Sequence, residues 1–205
     1  MAYFPPQGGY PGAPGGYGAP SAGYGAPGTG YGYPPAVDPL FGYFSAVAGR
    51  DGQISPEELQ RCLQGAGYGN GWETFSLETC RLMIGMLDRD GNFQMGFEEF
   101  KELWNSLNQW KHTYYTVDRD RSGTVNEQEL HQAIRTYGYN LSPEAFRVVF
   151  KRYARREQTI ITFDDFIAVS VRLRCLSENF RRRDTHQNGT AMLSYDEFIR
   201  FSFVV

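Results

Sequence analysis

The chain has 205 residues, 41% of them apolar and 16% aromatic, enough for one or two domains around a sizeable core. Its formal net charge of −3 comes from 20 basic and 23 acidic residues spread along the chain, which argues against a nucleic-acid partner, since that would call for a basic field. Cys62, Cys80 and Cys175 are odd in number and lack C-x-x-C spacing, so reduced thiols are expected rather than a disulfide framework or a zinc site.

Residues 1–36 hold 11 of the 24 glycines, 8 of the 11 prolines and no charged side chain; the first charge is Asp38. Tyr3, Tyr10, Tyr17, Tyr24 and Tyr31 recur every seven residues, but the intervening Gly and Pro exclude a coiled-coil heptad and predict a disordered tail. Gly23, Gly25 and Gly28 match the spacing of a dinucleotide-binding turn only formally, because Pro27 interrupts it and no strand precedes it. Such a tail is either an aromatic-bearing segment that touches membranes or regulates the core, or a solubilising spacer. The opening residues lack the pattern of a signal peptide and nowhere do eighteen apolar residues run together, so a cytoplasmic location is expected.

Residues 37–205 predict an all-α domain built from helix-loop-helix units. The first loop runs Ala48-Gly49-Arg50-Asp51-Gly52-Gln53-Ile54-Ser55-Pro56-Glu57-Glu58, one residue short of a twelve-residue calcium loop. Asp51 and Glu58 offer carboxylates there, and the carbonyls of Ala48 and Gln53 are further candidate ligands. In the second loop Asp88, Asp90 and Asn92 are side-chain candidates, Gln94 offers its carbonyl, and Glu99 is the closing carboxylate. Its turn position is Phe93 rather than glycine, so either a bulky residue bears a positive φ or the loop distorts, and weaker binding is expected.

The third loop, Asp118 to Glu129, fits the calcium-loop pattern at every position that matters. Ca²⁺ is a hard cation that takes six to eight oxygens. Asp118, Asp120 and Ser122 supply side-chain oxygens, Thr124 its carbonyl, Glu129 both carboxylate oxygens, and Asn126 acts through a water. Gly123 supplies the left-handed conformation of the turn. The fourth loop, Ala154 to Asp165, places Arg155 and Arg156 where acidic ligands belong and is expected to be calcium-free. The fifth starts Asp184-Thr185-His186-Gln187-Asn188-Gly189 but needs two extra residues to reach Asp196 or Glu197, so a structural role is expected.

Glu99 to Asp118 and Asp165 to Asp184 are each 19 residues, too short for two helices and a connection. Each interval must be one helix of about 28 Å shared by consecutive loops. Phe97, Phe100, Leu103, Trp104, Leu107, Trp110, Tyr114 and Val117 give the first of them an apolar stripe at helical spacing. The architecture predicted is five consecutive EF-hands with long shared helices, near 41–66, 76–108, 97–138, 143–174 and 163–205. EF-hands pair through their loop strands, so five leave one unpaired; with the apolar residues Phe198, Ile199, Phe201, Phe203, Val204 and Val205 beside it, this predicts a homodimer, or a heterodimer with a related chain, through the fifth hand.

The eleven-residue first loop, the shared helices, the Gly/Pro/Tyr tail and stretches such as Phe100-Lys-Glu-Leu-Trp104 and Ile161-Thr-Phe-Asp-Asp165 resemble the penta-EF-hand family. The resemblance implies a cytosolic dimer that binds Ca²⁺ in the first three hands, exposes apolar surface, and reversibly engages membranes and protein targets. The leading expectation is a calcium sensor, with a regulatory subunit of a larger enzyme and a passive calcium buffer as the alternatives. Catalysis by the chain itself is not expected, because His112, His131 and His186 are scattered and no nucleophile accompanies them.

Overall fold

The computed structural model describes residues 38–49, 51–65, 75–155 and 159–203; the tail, Arg50 and Arg156 lie outside the described residues. Among the described residues eight helices follow in order: α1 Pro39–Val47, α2 Pro56–Gly65, α3 Leu77–Leu87, α4 Phe97–Val117, α5 Glu127–Thr136, α6 Pro143–Tyr153, α7 Phe163–Arg183 and α8 Tyr195–Phe203. They form five helix-loop-helix units, α1–α2, α3–α4, α4–α5, α6–α7 and α7–α8, with α4 and α7 each serving two. The all-α, five-hand fold expected from the loop spacing is the fold observed.

Local chemistry sets the helix starts. Asp38, Ser76, Ser142 and Thr162 accept hydrogen bonds from backbone N–H groups of the turns they open, and Pro39 and Pro143 occupy first-turn positions where a missing N–H costs nothing. At α4 and α5 the cap is reciprocal: Glu99 accepts from the Gly96 N–H at 2.9 Å and Glu129 from the Asn126 N–H at 3.0 Å. The last acid of each loop is thus the third residue of the next helix, and it stabilises that helix with no metal present.

Packing centres on α7. From Phe163 to Val171 only Asp164 and Asp165 escape full burial, as expected of a helix covered on several sides, here by α3, α4 and α6. Tyr114 of α4 sets its ring edge-on to Phe163 and Phe166, with centroids 5.0 and 5.2 Å away. α1 joins the core through Phe44, which packs on Phe97 and Phe100 of α4. α8 packs chiefly on α7 and buries none of its residues. Burial pushes the Cys80 thiol up to about 12 and the Cys175 thiol up to about 11, so both stay protonated and inert at neutral pH.

Two short antiparallel bridges tie the hands into pairs. Ile54 and Met95 exchange backbone hydrogen bonds of 2.9 and 3.0 Å between loops 1 and 2, and Val125 and Ile161 exchange bonds of 2.9 and 2.8 Å between loops 3 and 4. All four side chains are buried. No such bridge involves the fifth loop among the described residues.

Candidate calcium sites

In loop 3 oxygens of Asp118, Asp120 and Glu129 lie within 4.8 Å of one another. The loop reaches this state through its own backbone: Asp118 accepts N–H bonds from Ser122 and Gly123, both at 3.0 Å, and Glu129 accepts from Arg119 at 3.2 Å and Asn126 at 3.0 Å. Asp118 is 6% and Glu129 8% exposed, so two carboxylates that water would otherwise stabilise are held close together by N–H donors. Hydrogen bonds from Ser122 hold the Asp120 carboxyl below the usual carboxylate range. The Ser122 hydroxyl donates to the Thr124 carbonyl at 3.1 Å, which brings both oxygens to the same locus. Gly123 has φ +77°, as its turn requires. This donor set, all oxygen and rich in carboxylate, fits a hard divalent cation such as Ca²⁺.

Loop 2 repeats the pattern. Asp88 accepts from the Gly91 N–H at 2.8 Å and the Phe93 N–H at 3.1 Å, Asp90 accepts from Asn92, Asn92 accepts from the Gln94 N–H at 2.7 Å, and Glu99 accepts from Arg89 and Gly96. Of the two outcomes open for Phe93, the chain takes the strained one: its φ is +56°, the turn is kept, and the ring is left 65% exposed. Phe93→Gly should therefore stabilise the second hand by about 1 kcal/mol, the strain relieved being larger than the entropy lost. Chemical unfolding in chelator checks this, an unchanged midpoint being the contrary result.

In loop 1 the open side of Gly49 faces both acids, since a Cβ built there would sit 3.3 Å from Glu58 Oε1 and 3.5 Å from Asp51 Oδ1. The other Glu58 oxygen accepts from the N–H and the hydroxyl of Ser55. Asp51 accepts from the Gln53 N–H at 3.2 Å, and Ala48 caps α1. Asp51 and Glu58 thus border one small cradle that a side chain at position 49 would fill.

The last two loops keep the turn but not the ligands. In loop 4 Arg155 and Ile160 close an antiparallel bridge, and Asp165 accepts from the Thr162 hydroxyl at 2.9 Å. Burial raises the Asp165 carboxyl above its ordinary value. In loop 5 Asp184 accepts from Asn188 at 3.0 Å and Gly189 at 2.8 Å, as Asp118 does in loop 3, but Glu197 is ion-paired with Arg183. A cationic side chain of α7 thus occupies the acid that would have closed the loop.

Two contacts near the loops escaped the sequence reading. The Tyr114 hydroxyl donates to the Gly123 carbonyl at 2.7 Å, so a core residue of α4 and α7 is tied to the turn of loop 3. In addition, Arg89 of loop 2 pairs with Glu102 of α4 at 2.8 Å, and Glu102 pairs with Arg174 of α7 at 3.0 Å, a polar link between the second loop and the centre of the fold. A tyrosine four residues before a loop, where phenylalanine would pack as well, was the only signal available for the first; the second left none.

Paired helix-loop-helix units around acidic loops define a calcium-binding protein of the EF-hand class. Residues 50–107 match the family of EF-hand domain pairs. Sorcin from Homo sapiens is 55% identical over 163 residues, covering 80% of this chain and 81% of sorcin. Grancalcin from Homo sapiens is 50% identical over 170 residues, covering 83% of this chain and 77% of grancalcin. A solved homologue of programmed cell death 6 protein from Leishmania major Friedlin shares the fold with a TM-score of 0.64 at 24% identity, covering 82% of this chain and 90% of that one. The chain belongs to the penta-EF-hand family, and it binds calcium.

Proposed function

We propose that the chain is a calcium sensor: a binding module, not an enzyme, that exposes apolar surface on loading and then engages protein targets and, reversibly, membranes from the cytoplasm. Asp118, Asp120, Ser122, Thr124 and Glu129 hold the ion in the third hand, with Asn126 acting through a water. Asp88, Asp90, Asn92, Gln94 and Glu99 hold it in the second, and Ala48, Asp51, Gln53 and Glu58 in the first. Bound Ca²⁺ supplies the positive charge that offsets repulsion among these carboxylates. The observation that carries the sensor reading is the Tyr114 hydroxyl on the Gly123 carbonyl: a displacement of the loop 3 turn is passed to a ring wedged against Phe163 and Phe166. The same helix bears the half-buried Trp104, stacked on Tyr43, and the buried Trp110. Moving α4 therefore alters the aromatic surface next to α1.

The test is a calcium titration of tryptophan fluorescence in the presence of an apolar dye. A sensor gives dye binding at micromolar calcium, within the usual range of about 10⁻⁷–10⁻⁵ M. Calcium uptake with no dye binding assigns the chain to the passive buffers and overturns the reading.

The fifth hand is read as the dimer surface, with a second copy or a related chain as partner; a regulatory subunit would present the same face to a larger enzyme. In support, its loop lacks a bridge among the described residues, and Met192 is 96% exposed, Tyr195 80% and Phe203 81%. Large apolar side chains left this exposed are suited to an interface. Phe198→Asp should shift a dimer of wild-type chain to monomer in sedimentation velocity, and dimers surviving that change would remove the fifth hand from the interface.

A further inference from the structure

α6 carries two unlike faces. Phe146 and Phe150 are buried and Val149 and Tyr153 pack beside them. On the opposite stripe Glu144, Arg147, Val148, Lys151 and Arg152 follow one another at helical spacing, and Arg155 extends the line past the helix end; all six are exposed, Val148 to 70%. Between Ala145 and Arg156 the sequence holds five cations and no acid, in a chain whose net charge is −3. Among the described residues no ion pair involves Arg147, Lys151 or Arg152, although Arg152 lies over the Tyr153 ring at 5.6 Å from its centroid. One charged cluster of the fold, Arg89, Glu102, Arg174 and Glu178, is neutralised internally. The α6 stripe sets four cations against the single acid Glu144.

We propose that this outward face of α6 is a docking surface for an anionic lipid bilayer and that it works without calcium. The outer side of a single helix is a convex ridge. Long cationic stems around a protruding valine can lie along a headgroup layer while the valine enters the boundary below, with no need for a matching groove. An acidic peptide finds no such groove on a convex ridge. Calcium independence follows from the loop next to it, which begins with Ala154 where loops 2 and 3 place Asp88 and Asp118, and which closes by the Arg155–Ile160 bridge. The surface is therefore separate from the sensor reading and survives its failure.

The experiment is co-sedimentation of the full chain with phosphatidylcholine vesicles and with vesicles containing about 30% phosphatidylserine, in chelator and in calcium. In chelator the wild type should bind the anionic vesicles, not the neutral ones, and should release them as salt rises. The triple variant Arg147→Gln, Lys151→Gln, Arg152→Gln should bind about 100-fold more weakly, and Arg147→Glu alone should weaken binding in the same direction. Both variants should keep the wild-type calcium response of tryptophan fluorescence, which separates loss of the face from loss of the fold. Equal binding by the triple variant, or equal binding to neutral vesicles, overturns the proposal. So does binding to polyglutamate with none to anionic vesicles, which would assign the face to an acidic protein.

Discussion

Glu129→Ala should weaken calcium binding at the third hand by about 3 kcal/mol, roughly a hundredfold, and remove the fluorescence and dye responses at micromolar calcium. Three contributions act together. Glu129 is one of three acids whose oxygens converge within 4.8 Å, so its loss removes negative charge from the locus. Its carboxylate also accepts the Arg119 and Asn126 N–H groups, which hold the two ends of the loop together, and alanine leaves those donors unpaired. As the third residue of α5 it closes a reciprocal cap, so the helix start frays as well. Isothermal titration resolves the affinity, and Glu129→Gln separates charge from cap: the single amide oxygen keeps the Asn126 N–H bond of the cap and only the Arg119 N–H loses its acceptor, so affinity falls while the calcium-free unfolding midpoint drops less than in Glu129→Ala. A wild-type response in Glu129→Ala would remove the third loop from the centre of the mechanism.

Phe166→Ala should cost about 4 kcal/mol of unfolding free energy, a large share of the roughly 5–15 kcal/mol a domain possesses. The ring is 1% exposed and sits between Tyr114 of α4 and Tyr137 next to α5. Because α7 belongs to two hands, the cavity left behind loosens both. Tyr114→Phe gives the contrast. The ring and its packing remain, only the bond to the Gly123 carbonyl is lost, and the cost falls to about 1 kcal/mol. Urea unfolding in chelator measures both. If Tyr114→Phe keeps near-native stability yet loses dye binding on calcium addition, the hydroxyl is the connection between loop and core; unchanged dye binding would place that connection elsewhere.

Most of the candidate site was legible before any coordinates, because an ion-binding loop is a local object. Ligand positions set by covalent spacing, a turn that needs positive φ, and a closing acid at the third residue of the next helix all fall within twelve residues, so Asp118 to Glu129 can be read along the chain. The five hands were legible for the same reason: a 19-residue interval holds one helix and not two. At Phe93 local reasoning identified the conflict but not its resolution. Whether a loop distorts or a side chain accepts strain depends on the bonds at either end, here Asp88 on the Phe93 N–H and the Ile54–Met95 bridge across to the neighbouring loop.

The contacts that join the hands into one mechanical unit belong to the tertiary structure alone. Glu102 and Arg174 are separated by 72 residues, and the Arg183–Glu197 pair that closes the fifth loop needs α8 folded back on α7. Nothing in hydrophobic period or loop pattern selects such partners, since many exposed acids and arginines satisfy the same local rules. Packing chooses among them by deciding which side chains share a low-dielectric space. The amino-acid sequence by itself determined what each loop can hold and how many helices carry the loops, through spacing and backbone geometry; only the folded core decided which loops pair, which acid meets an arginine in place of a ligand, and which tyrosine ties a calcium loop to the rest of the protein.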